Sequence, residues 1–171
     1  MRIDAARTQF LSAELGLYGV AIATATPGVN ADAKDALIDA VSLGLLDNVD
    51  LVFPVLYPRL GPDDAKYSLA HAAAYTHFSM ELTEEILSYA KQPVAMVPGL
   101  STQIYNSNSV NQYSTVPTEY VAAQLMALEE GKYAETYVLW VSSENGVPGG
   151  LTPFLAGLEP ALADCLCGDL E

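Results

Sequence analysis

Positive charge is scarce in this sequence. Seven Lys and Arg stand against 21 Asp and Glu in 171 residues, a formal net charge of −14. Such a surface repels polyanions, and no run of cations is available to release counterions from a phosphate backbone, so nucleic acid is excluded as a partner. An anionic membrane surface is excluded on the same ground. Cysteine is almost missing as well: Cys165 and Cys167 are spaced Cys-x-Cys near the C-terminus. That spacing cannot furnish a tetrahedral zinc site, and no His is near in sequence. The pair reads as small, partly buried side chains or as thiols with partners elsewhere, and it does not fix a compartment. No apolar run approaches the ~18 residues of a membrane span. The opening "MRIDAARTQF" has no apolar core of a secretory signal.

Chemical signatures are lacking too. No strand runs into Gly-x-Gly-x-x-Gly, and no Gly-Lys-Ser/Thr is present, so neither a Rossmann-type nucleotide turn nor a P-loop is expected. No Gly-x-Ser-x-Gly elbow supports a hydrolase triad. His71 and His77 are six apart, whereas a metal pair on a helix wants three or four. No cofactor and no metal are expected.

Aliphatic side chains are abundant. The chain is 51% hydrophobic and 16% charged, ample for a packed interior, and its length suits one domain over 1–171. Helical spacing over 3–17 predicts a helix, and "LYGVAIATA" (17–25) a strand ended by Thr26-Pro27-Gly28. Asn30 caps a second helix to about Leu46. "VDLVFPVLY" reads as a strand, Pro62-Asp63-Asp64 as the opening of a helix over 63–90, and "QPVAMVPGL" (92–100) as a strand. A polar loop, "STQIYNSNSVNQYST", precedes a helix that starts at Pro117 and closes at Gly131. "AETYVLWVSSENG" gives the last strand and "TPFLAGLEPALADCLC" the last helix.

Strand and helix alternate four times, which points to βαβ units and a parallel sheet. The fold class is α/β, and four (β/α) units against ~250 residues for a full barrel make about half of a TIM-like ring. An open doubly wound sheet is the alternative. Polar and aromatic residues gather just past the strand C-termini: Thr24 and Thr26, Tyr57 and Arg59, Ser101 to Tyr113, Trp140 to Asn145. Barrel enzymes build their sites at that end. The single Trp, in "YVLWVSSEN", suits the floor of a sugar pocket, since the indole face matches a pyranose and its N–H donates; an ordinary core Trp is the other reading.

Three stretches carry a resemblance. "AARTQFLSAELGLYGVAIATATPGVN", "LLDNVDLVFPVLYPR" and "YVLWVSSENG" resemble, in order, a helix-to-strand passage and two strand ends of hyaluronidase-type glycoside hydrolases. The resemblance covers nearly the whole chain and corresponds to the C-terminal part of that barrel. It implies that Tyr57 holds a substrate acetamido group and supports the reaction centre, and that Trp140 lines a sugar subsite. Arg59, Tyr105, Ser142 and Ser143 are the further candidate substrate contacts. Departures are plain: Val97-Pro98 falls where the family has a tyrosine, Val141 replaces a glycine, and the family's paired cysteines have no counterpart. The Asp-x-Glu pair that such enzymes use at the end of an earlier strand, in a substrate-assisted scheme, follows none of the strands expected here. Glu144, four residues after Trp140, is the best internal candidate for an acid, with a solvated loop Glu as the other reading.

The implied partner is a carbohydrate. Half of a barrel exposes two parallel edges and an apolar interior, so a homodimer or a complementary half-barrel chain is expected to close it. Membership of a longer hyaluronidase-type enzyme would imply secretion. The alternatives are a non-catalytic carbohydrate-binding or assembly module and an open α/β small-molecule-binding domain.

Overall fold

The structure, a computed structural model, describes residues 14–18, 31–58, 68–105, 113–133, 135–140 and 151–167. Its elements in chain order are β1 (Gly16–Tyr18), α1 (Ala31–Ser42), β2 (Leu51–Phe53), α2 (Leu69–Leu87), β3 (Ala95–Met96), β4 (Gly99–Ser101), β5 (Gln103–Tyr105), β6 (Tyr113–Thr115), α3 (Thr118–Gly131), β7 (Val138–Trp140) and α4 (Leu151–Cys167). The chain is thus a mixed α/β fold with short parallel strands.

β1, β2 and β3 pair in parallel, in that order, and β4 pairs in parallel with β7. β3 and β4 are two pieces of one strand. Pro54 and Pro98 have no N–H to give, so the ladder is interrupted between them. Their carbonyls still accept: Gly99 N–H donates to Pro54 O (2.8 Å) and Val138 N–H to Pro98 O (2.9 Å). Leu56 N–H donates to Gly99 O (2.8 Å), which carries the pairing past the break. The strands therefore stand side by side in chain order, β1, β2, β3–β4, β7. At the foot of the sheet Asp50 fixes this register. Its carboxylate accepts from Leu15 N–H (2.7 Å) while its own N–H donates to Leu15 O (2.9 Å).

Alternation along each strand divides the side chains between two faces. Leu17, Val52, Leu100 and Leu139, the central residue of each strand, point to the helices. Val52 and Leu17 pack with Val41 and Leu37 of α1 and with Leu82 and Ile86 of α2. Leu100 and Leu139 pack with Tyr120, Val121 and Leu125 of α3 and Phe154 and Leu158 of α4. All four helices cover one face. Sequential order with helices on a single face is the winding of a barrel wall. A doubly wound sheet reverses its strand order and takes helices on both faces, so that alternative is not seen. Among the described residues β1 and β7 each have one neighbour, so the strands form an arc.

The sequence placed several boundaries differently. Residues 16–17, expected at a helix end, already belong to β1, because the Asp50 clamp holds them to β2. α2 begins at Leu69 with Ser68 as its N-cap, the hydroxyl accepting from His71 N–H (3.1 Å); Pro62-Asp63-Asp64, the expected opening, lies outside the described residues. The expected loop after β4 contains an antiparallel pair, β5 with β6, in which Tyr105 stands opposite Tyr113. α3 ends at Gly131, but the left-handed residue is Lys132 (φ 52°). Gly131 serves close approach instead: a Cβ there would fall 2.0 Å from the Tyr133 ring.

Candidate functional site

The face turned away from the helices carries Gly16 and Tyr18 of β1, Leu51 and Phe53 of β2, and Val138 and Trp140 of β7. Along these strands, from the first residues Gly16, Gly99 and Val138 to the last residues Tyr18, Phe53 and Trp140, runs a cavity of about 240 Å³ that Tyr57, past the end of β2, also lines. That is slightly below the ~300 Å³ at which small-molecule clefts begin, so it accommodates a ring-sized group. Its floor is open because two positions lack side chains. A Cβ on Gly16 would meet the Phe53 ring at 2.4 Å, so the ring lies where a larger residue would have displaced it.

Backbone hydrogen bonds from both layers set the two main side chains. Tyr57 follows β2, and the carbonyl before it, Leu56 O, accepts from the amide Nε2 of fully buried Gln124 on α3 (2.7 Å). Trp140 ends β7, and its carbonyl accepts from Thr102 N–H (3.2 Å). Thr102 in turn receives Val116 N–H (2.9 Å), which ties the β5–β6 pair to the same corner.

Trp140 is 57% exposed and Tyr18 58%, high values for rings on a parallel sheet. The Trp is therefore not a core residue. Tyr57 is half-buried, its ring 6.4 Å from that of Tyr18 and tilted by 57°. Burial pushes the Tyr57 phenol well above its ordinary range, and the hydrogen bond and charge of Tyr18 push it the same way. It is a neutral hydroxyl across the physiological range, able to donate and accept but not to serve as a phenolate base. The cavity thus offers flat apolar rings, hydroxyl groups and no charged side chain among its described lining. Such a surface suits the apolar face of a sugar ring.

Of the residues expected at the site, the structure brings Tyr57 and Trp140 together from strands that are not adjacent. The backbone of Tyr105 lies in β5; its side chain is not described. Arg59, Ser142, Ser143 and Glu144 lie outside the described residues. Sequence reasoning missed Tyr18, Phe53, Gly16, Gly99 and Val138. A period-two reading would have found most of them, since Gly16-x-Tyr18, Leu51-x-Phe53 and Val138-x-Trp140 are each on one face of a strand.

The histidines are elsewhere. His71 stacks on Tyr75 within α2. His77 meets Tyr133 through Nδ1 (3.1 Å) and faces Glu130 (3.6 Å) on the outer helical layer. Tyr133 also donates to Glu81 (3.3 Å). Among the described residues no group of three His, Cys, Asp or Glu is placed to hold a metal ion.

Comparison with known proteins finds no matching family model and no matching curated sequence. Among solved structures, bee venom hyaluronidase in a monoclinic crystal is similar, with a TM-score of 0.68 and 14% identity, over 94% of this chain and 51% of that one. Bee venom hyaluronidase in complex with a hyaluronic acid tetramer gives a TM-score of 0.64 and 13% identity, over 95% of this chain and 48% of that one. At such identity the likeness is one of fold: the chain has a hyaluronidase-like glycoside-hydrolase fold and spans about half the length of these structures.

Proposed function

We propose that this chain forms the carbohydrate-binding side of a glycoside-hydrolase-like site. One observation carries the reading: Tyr57, past the end of β2, and Trp140, the last residue of β7, line one aromatic cavity on the face of the parallel strands turned away from the helices. Trp140 and Tyr18 stack on the sugar, and Tyr57 donates to an oxygen of it. Support also comes from the solved neighbour whose ligand is a hyaluronic acid tetramer. Arg59, Tyr105, Ser142 and Ser143 are the further proposed contacts. The acid/base pair comes from outside this chain, and Glu144 is the one internal candidate.

Calorimetric titration with a sugar oligomer tests the binding. Removing a stacked indole is expected to weaken affinity ~10-fold or more, since stacked aromatic contacts contribute ~1–3 kcal/mol, so Trp140→Ala should show that loss. Gly99→Ala is the gentler variant: its added Cβ would lie 3.6 Å from Pro54 O and 3.8 Å from the Tyr57 ring, ordinary contacts. It keeps the fold and narrows the cavity, so affinity falls while the melting transition does not. Unchanged affinity in both variants would sink the site. The chain alone is expected to give no turnover on chromogenic N-acetylhexosaminides; turnover abolished by Glu144→Gln would show that the acid is internal.

A second reading is favoured by the uncovered face. Parallel sheets are covered on both sides, and here the described helices cover one. An assembly module closed by a second copy or a complementary half-barrel would account for it. A stable dimer in light scattering, whose Tyr57→Phe variant keeps its ligand affinity, supports that reading instead.

A further inference from the structure

We infer that the ligand of the aromatic cavity is an uncharged glycan and that a carboxylate-bearing one is disfavoured. The inference rests on the sugar-binding reading and narrows it to a substrate class.

The first support is the lining. Gly16, Tyr18, Phe53, Tyr57, Gly99, Val138 and Trp140 carry rings, hydroxyls and an aliphatic chain, with no cation. A carboxylate brought against these described residues would lose water and gain no ammonium or guanidinium from them, leaving Arg59 alone among the proposed contacts to pair it, and burying a poorly paired charge is strongly unfavourable. An uncharged sugar stacks on the same rings without that penalty.

The second support is where the cations are. Of the seven Lys and Arg, three are described, and none faces the cavity. Lys34 pairs with Glu85 and Lys91 with Asp47 on the helical side. Lys132 lines a separate cavity with Glu129 and Glu135 beneath α3. The four stretches that join a strand's C-terminal end to the following helix are 19–30, 54–68, 102–117 and 141–150. Together they hold Arg59 and Lys66 against Asp63, Asp64 and Glu144, and the stretches 19–30 and 102–117 hold no charge at all. They are instead rich in Thr, Ser, Asn, Gln and Tyr, groups that hydrogen-bond to hydroxyls. Counted along the sequence, these stretches carry no excess of positive charge, and the whole chain stands at −14. Its field opposes the approach of a polyanion.

The test compares two oligomers of equal length on the 171-residue chain: a chitin tetramer, which is neutral, and a hyaluronan tetramer, which is not. Calorimetry gives the affinities. The emission of Trp140, the single tryptophan, reports contact at the cavity. Affinity for the chitin tetramer is expected to exceed that for hyaluronan by ~10-fold or more, a difference of ~1.4 kcal/mol. Raising salt from ~0.01 to ~0.1 M shortens the screening length from ~30 to ~10 Å. It should strengthen any residual hyaluronan binding and leave the chitin affinity alone. Hyaluronan binding as tight as chitin, or weakened by salt, overturns the inference and leaves the sugar-binding reading standing. Failure of both oligomers to bind or to change Trp140 emission overturns the reading itself.

Discussion

Tyr57 shows how much of a residue's role is set by what surrounds it. In sequence it is a ring after "FPVL"; in the structure it is a phenol half out of water beside a second phenol. A free tyrosine ionises near ~10, and burial and Tyr18 raise Tyr57 above that. The folded state therefore holds this proton more tightly than the unfolded chain does. The resulting stability is fully present below pH ~10 and is lost as pH rises from there toward the folded value. Thermal melts over the alkaline range should show a falling midpoint that begins near pH 10, and Tyr57→Phe should reduce the slope. An identical slope in the variant would mean that the phenol titrates as freely as in the unfolded chain. That Trp140 stands out from the core was legible because it is unique and sits in a strand end. Phe53 was not: a Phe in a continuous apolar strand carries no mark of which face it takes until the helices are placed.

Among the elements, the β2–α3 contact fixes the site from behind. Gln124 is fully buried on α3, and its amide satisfies Leu56 O, the last carbonyl before Tyr57. Gln124→Leu leaves that acceptor unpaired in an apolar layer, and such a loss costs about 1–3 kcal/mol. The expected result is a lower denaturant midpoint at unchanged slope; a midpoint equal to that of the parent would show that water replaces the amide. The order of strands and helices was legible, because long apolar runs and Ala-rich amphipathic stretches differ in period and length. Ends were less so. Ser68, not Pro62-Asp63-Asp64, caps α2, and Lys132, not Gly131, takes the left-handed turn after α3. At each end more than one residue carried a terminus signal; the local Ser68 cap marks the start of α2, and the close Tyr133 ring accompanies the end of α3. The β5–β6 pair was read as loop because Asn, Ser and Gln around it give no apolar alternation to mark a strand.

At the scale of the molecule, the sheet is covered on one side. The described helices pack on one face of the sequential strands, and the other bears Tyr18, Phe53, Val138 and Trp140. Exposed rings in one contiguous patch mark a surface that meets something. An uncharged dye such as Nile red is expected to brighten on the native chain and to dim as a sugar oligomer is added. No enhancement with the native chain would show that this face is already shielded. Acids such as Asp35 and Asp39 of α1, Glu84 and Glu85 of α2 and Glu129 and Glu130 of α3 lie on the described helices, whereas the described lining of the cavity holds none.

Leu139 and Trp140 are consecutive, yet one packs on the interior that holds the protein together and the other stands exposed on the opposite face. Such a division lets selection exchange the outward-facing ring for a residue of different shape or polarity while the inward neighbour keeps the scaffold intact. Ligand preference can then drift along an inherited framework, one alternate position at a time.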